Sequence, residues 1–152
     1  MSAIDTGSTG ERRFGLASSV QHVWDEFPDG IESGPASRMR AQLAEVLAGC
    51  HPEQVMDAQL VLSELVENAY EHGRRPLFAK VTVSRGLARF DVADTSTRTP
   101  CATCAERAQH NHTGGRGMLL ISSMCRRWGV TVTPGEGKTV WAELVLGDGD
   151  AR

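Results

Sequence analysis

Lysine is almost missing from this chain of 152 residues: Lys80 and Lys138 are the whole supply, and every other basic residue is an arginine. The skew reads as a coding bias rather than a function. Other absences exclude more. No basic tract appears, and a formal net charge of −3 leaves no electrostatic footprint for nucleic acid. No apolar run approaches the roughly 18 residues of a membrane helix. The polar first dozen residues, Met1 to Arg12, hold no apolar signal-peptide core. A soluble cytoplasmic protein is expected, with no membrane or direct nucleic-acid partner.

With 40% hydrophobic and 23% charged residues, the chain has enough apolar material for one conventional core. No repeat or second domain is visible. The expected organisation is a disordered tail over residues 1–13, one domain over 14–146, and a frayed end over 147–152. The four cysteines, Cys50, Cys101, Cys104 and Cys125, are expected as free thiols. Cys101 and Cys104 followed by His110 and His112 superficially resemble a zinc pattern, but the usual longer spacing between ligand pairs is missing. Incidental thiols in a loop are the preferred reading, and a zinc or redox switch the weaker one.

Residues 14–27 scatter Leu16, Val20, Val23, Trp24 and Phe27, which suit a short strand or a short helix. Ser37 offers an N-cap for a helix to about Ala48, with Met39, Leu43, Val46 and Leu47 as its apolar stripe. Gly49 ends it. Pro52 opens a longer helix over about 53–72, which Gly73 is placed to terminate. The period then changes. Ala79, Val81 and Val83 alternate with Lys80, Thr82 and Ser84, predicting a strand over 77–84. Arg85-Gly86 turns into a second strand over 87–94. After a long loop, a helix is expected over 118–127, with Met118, Leu119, Ile121 and Met124 or Cys125 inward. A hairpin of 130–133 and 138–146 closes the domain, with Val140, Ala142, Leu144 and Leu146 buried.

Three places in this layout carry chemistry. On the long helix, Ala58, Leu62, Leu65, Val66 and Ala69 form an apolar stripe, and Glu64 and Asn68 stand one turn apart beside it. A carboxylate and a carboxamide there suit a hard cation such as Mg²⁺ or activation of a hydroxyl; an ordinary polar helix face is the plainer alternative. On the second strand, Asp94 shares the core-facing row of Phe90 and Val92. Either it meets a donor there, because a buried lone carboxylate is costly, or it caps the loop with Thr95 and Ser96. Lastly, Gly114-Gly115-Arg116-Gly117 runs into the helix at Met118, where backbone N–H groups could approach a phosphate.

In this order, the three elements resemble the GHKL superfamily of ATPases, which includes gyrase and the histidine kinases. Two phrases look like its small stand-alone branch, the anti-sigma factor serine kinases of bacterial partner-switching systems. They are Ser63-Glu64-Leu65-Val66-Glu67-Asn68-Ala69 and Gly137-Lys138-Thr139-Val140-Trp141-Ala142-Glu143, and the resemblance spans about residues 35–146. It implies ATP and Mg²⁺ as cofactors. Asn68 would coordinate the metal, Glu64 would act as general base, and Asp94 would accept the adenine amino group. Gly115 and Gly117, with Arg116 between them, would close over the phosphates as part of a lid formed by residues 95–117, and Gly114, Met118, Lys138 and Thr139 would also belong to the cofactor-binding set. His72 would be a structural residue at the helix end.

Two departures from the superfamily pattern stand out. Ser96 replaces a glycine, and Lys138 follows Gly137 where the superfamily has a threonine that supports the aspartate. Either Lys138 or Thr139 would take that role. The fold expected is a Bergerat-type α/β (α+β) two-layer sandwich, with a mixed, mainly antiparallel sheet of four or five strands and about three helices on one face. The expected function is an ATP-binding anti-sigma factor with serine/threonine kinase activity toward an anti-anti-sigma (STAS-type) partner, holding a sigma factor in its other state. The alternative is an ATP-responsive module that binds a partner without catalysis. The branch commonly dimerises, so a homodimer is an open option.

Overall fold

A computed structural model describes residues 19–28, 34–73, 76–96 and 116–147. In chain order the elements are β1 (Val20–Trp24), α1 (Gly34–Val46), α2 (Pro52–Gly73), β2 (Pro76–Ser84), β3 (Leu87–Asp94), α3 (Arg116–Met124), β4 (Arg127–Thr133) and β5 (Gly137–Val145). The strands form one five-stranded sheet in the order β1-β2-β3-β5-β4, antiparallel at every pairing. With three helices packed against it, this is the expected α+β sandwich. Among the described residues no helix is long and apolar enough to cross a membrane.

The expected stripe of α2 is buried along its whole length, and Val61 joins it. Val61 widens the buried arc because α2 packs at once on α1, α3 and the sheet. Its start is held by local capping: Gln54 Oε1 accepts from the His51 backbone N–H at 3.1 Å, while Pro52 sits where a missing N–H costs nothing. The other end of the same amide donates to the Leu146 carbonyl, tying α2 to the exit of β5. Against α2 lie the inward rows Ala79-Val81-Val83, Ala88-Phe90-Val92 and Val140-Ala142-Leu144, all in one core cluster with Leu43, Leu47 and Ile121. Burying each large side chain of this kind contributes about 1.5–3 kcal/mol.

Element edges differ from the expectation wherever a distant partner sets them. Residues 20–24 form a strand because they pair with β2, and Trp24 Nε1 then reaches Gln42 Oε1 on α1 at 2.7 Å. Helix α1 starts at Gly34, so Ser37 lies inside its first turn and does not cap it. Helix α3 ends at Met124, three residues early, because Arg126 N–H donates to the Glu143 carbonyl at 2.8 Å and β4 begins at Arg127. The outward sheet face is less bare than alternation implies. Trp141 lies across Gly129, with the Arg89 guanidinium 4.6 Å from its ring centroid, and Asp91, Ala93 and Glu143 are buried around it.

Candidate functional site

Helix α2 carries the first half of the site. Glu64 and Asn68 are one turn apart on the edge of the buried stripe. Asn68 is buried, and among the described residues nothing accepts from its Nδ2. Glu64 is half-buried. Burial pushes its carboxyl above the ordinary carboxylate value, and the nearby Glu67 and Glu71 push it further. Its Oε2 lies against the bare Cα of Gly117 in the first turn of α3, where a side chain at 117 would overlap it. The fold therefore brings the C-terminal end of the glycine stretch onto the α2 carboxylate. Ser63 is spent locally, donating its Oγ–H to the Gln59 carbonyl at 2.8 Å.

The second half stands where β3 ends beside the start of β5. Asp94 and Lys138 are directly opposed in the β3–β5 ladder, and both side chains are 0% exposed. Lys138 Nζ donates to Asp94 Oδ1 at 3.0 Å and to the Ser96 carbonyl at 3.4 Å. The Ser96 backbone N–H donates to the same Oδ1 at 2.8 Å. Both readings of Asp94 therefore hold at once: it meets a charged donor and it closes a turn onto residue 96. One oxygen does both jobs. Among the described residues no donor reaches the other, Oδ2, although it is buried.

Of the two candidates for supporting Asp94, Lys138 makes the contact. Thr139 falls on the opposite row, beside Ala93 and Thr131. Gly137 makes the approach feasible. Its φ is 130°, and a Cβ there would collide with the Asp94 carbonyl and crowd Thr95 Cα. Sequence reasoning placed Gly137 in the turn before residue 138, whereas it is the first residue of β5; the available signal was a second glycine directly before Lys138. It also treated Ser96 as a departure, whereas the main chain of Ser96 supplies both a donor and an acceptor here.

Gly114 and Gly115 lie outside the described residues, as do Cys101, Cys104, His110 and His112 and most of the proposed lid. Arg116 opens α3, and Met118 is buried in the core behind Gly117. Cys50 and Cys125 are free, and burial raises both thiols, Cys125 to about 11. Among the described residues no group of three His, Cys, Asp or Glu side chains could hold a metal by itself. A cleft of about 500 Å³ lies elsewhere, between Asp25–Pro28, Arg38 and Pro76–Leu77, and includes none of the candidate residues.

The sequence profile of the histidine kinase-like ATPase domain matches residues 33–144, which covers every described element from α1 to β5 except the final residue of β5. No curated protein matches the chain significantly. The span of the match includes Glu64, Asn68, Asp94, Gly117 and Lys138 together, and the chain belongs to the histidine kinase-like ATPase domain family.

Proposed function

We propose that this protein is an ATP-binding regulator that phosphorylates a serine or threonine of an anti-anti-sigma (STAS-type) partner and sequesters a sigma factor in its other state. Family membership supports the ATP-binding part. The kinase activity and both partners are our reading from the resemblance of the α2 and β5 phrases to stand-alone anti-sigma kinases. One observation carries the nucleotide-binding part: the two buried polar atoms without partners among the described residues are Asn68 Nδ2, a donor suited to a phosphate oxygen, and Asp94 Oδ2, an acceptor suited to an amino group. Buried polar groups are normally satisfied, so each orphan marks a place where a ligand group fits.

The donor set suits Mg·ATP. Asp94 Oδ2 is an acceptor matched to an exocyclic amino group, and the Asn68 carboxamide oxygen is a hard ligand for Mg²⁺. Asn68 would hold the metal through its carboxamide oxygen, and the metal would offset the charge of the phosphates. Bound ATP supplies the transferable γ-phosphoryl group, and the chain's own residues supply positioning and proton transfer. Glu64 takes the proton of the partner's hydroxyl as that oxygen bonds to phosphorus and the bond to ADP breaks. A carboxylate raised toward neutrality by burial is better matched to that proton than an exposed one. Gly117 leaves room for its carboxylate.

The test is calorimetric titration of Mg·ATP into wild type, Asn68→Ala and Asp94→Asn, followed by a transfer assay with a cognate partner. Binding lost in both variants and transfer lost in Glu64→Gln are expected. Retained ATP with no phosphorylated partner would instead favour a non-catalytic, ATP-responsive module. The departures at Ser96 and Lys138 from the superfamily pattern motivate that second reading.

A further inference from the structure

We propose that Lys138 is a positioning residue that sets base selectivity, acting through Asp94. This rests on the ATP-binding reading and adds to it the residue that holds Asp94 in the orientation that takes a 6-amino group. Two donors converge on Asp94 Oδ1, the Lys138 ammonium from β5 and the Ser96 N–H from the following loop. None of the described residues serves Oδ2. The carboxylate is thereby turned so that a single buried acceptor faces the incoming ligand.

The ammonium also neutralises the charge of a carboxylate that is wholly withdrawn from water. Without it, Asp94 would retain one described donor, and its rotation would not be held. Lys138 in addition bonds the Ser96 carbonyl, so the same side chain braces the loop that leaves β3. Its own placement is dictated by the ladder, because Lys138 pairs with Asp94 and the adjacent Gly137 brings the β5 backbone against the Asp94 carbonyl.

The consequence is selectivity of a stated chemistry. A 6-aminopurine donates an N–H to Oδ2. A purine with hydrogen at C6 leaves Oδ2 unpaired, and a 6-oxopurine sets a carbonyl oxygen against it. Sites with a buried polar group of this kind discriminate by leaving it unsatisfied in the wrong complex. Wild type is expected to prefer ATP over purine riboside triphosphate by about 10- to 100-fold.

Calorimetry with both nucleotides on wild type and Lys138→Met tests the assignment. The ratio of affinities is expected to fall to about threefold or less in the variant. If both affinities drop together and the ratio survives, Lys138 is structural only and the proposal is overturned. Should Lys138→Met not fold, the wild type provides the readout, since the chain has only two lysines. In protein labelled with [¹⁵N]lysine and assigned through Lys80→Arg, the Lys138 ammonium signal should shift on saturation with ATP and much less with purine riboside triphosphate. Equal shifts, or none while both nucleotides bind, overturn the proposal. Folded wild type that binds neither nucleotide overturns the ATP-binding reading and this one with it.

Discussion

Glu64 ends where Gly117 has no side chain: the α2 carboxylate lies against bare backbone at the first turn of α3, and a Cβ at 117 would overlap Oε2. The obstructed atom is the far end of a flexible side chain, so the conflict would be relieved by moving the carboxylate and not the helices. Gly117→Ala should therefore leave the fold intact, helped by the roughly 1 kcal/mol that alanine gains over glycine inside a helix. Phosphoryl transfer should fall by about 100-fold, the scale of a misplaced general base. Urea midpoints and a transfer assay on the same preparations check this. A variant that transfers normally would show that the carboxylate position is not used.

Glu64 also makes stability depend on pH in a direction that can be worked out. Burial first, and then Glu67 and Glu71, raise its carboxyl above the ordinary 4.5, so the native state binds this proton more tightly than the unfolded chain. The native state is then penalised for ionisation: stability falls as pH rises from the ordinary value through the raised one, and stays level above it. Glu64→Gln removes the penalty. At neutral pH the variant should exceed wild type by less than about 1 kcal/mol, or ~1–3 °C in Tm. The gain should vanish below about pH 4. A variant less stable than wild type at neutral pH would contradict this account.

Gly137 faces a different obstacle. With φ of 130° and the Asp94 carbonyl in the way of any Cβ, the conflict is with backbone, which cannot swing aside. Gly137→Ala should cost about 2–3 kcal/mol, measured by urea unfolding. It should also weaken nucleotide binding, because the displaced strand carries Lys138. Unchanged stability would mean that the β3–β5 end is slack.

Glu143 provides the opposite pH signature. Arg127 grips it with Nε at 2.6 Å and Nη2 at 3.0 Å, and this hydrogen bonding is the main reason its carboxyl lies below the ordinary value. Its folded value is lowered, so its contribution is present above the ordinary 4.5 and is lost as pH falls through the lowered value. Glu143→Gln should be less stable than wild type at neutral pH, and the gap should narrow on acidification. Urea midpoints across that range decide it; a gap that widens in acid would refute the assignment.

The periodic features of the sequence were read correctly because local geometry generates them. An i, i+4 pair such as Glu64 and Asn68 is superposed by any α-helix, and alternation puts Asp94 on the row of Phe90 and Val92 in any strand. The stripe of α2 and the inward rows of β2, β3 and β5 follow from the same two periods. Val61 escaped because its burial comes from α2 having neighbours on several sides, which one helix's pattern does not encode.

Residue order by itself determined the number and kind of the long elements, the turn at Arg85-Gly86, and which side chains could share a face. Tertiary structure decided the rest. Residues 20–24 became a strand through pairing with β2, and β4 began at Arg127 through Glu143. The choice between Lys138 and Thr139 was likewise a matter of register, since neighbours in a strand point to opposite faces and only the β3–β5 ladder says which one meets Asp94. Scarcity of lysine is a property of composition. That one of only two lysines is buried against the site carboxylate is a property of cross-strand pairing, because that partner is 44 residues away in the chain.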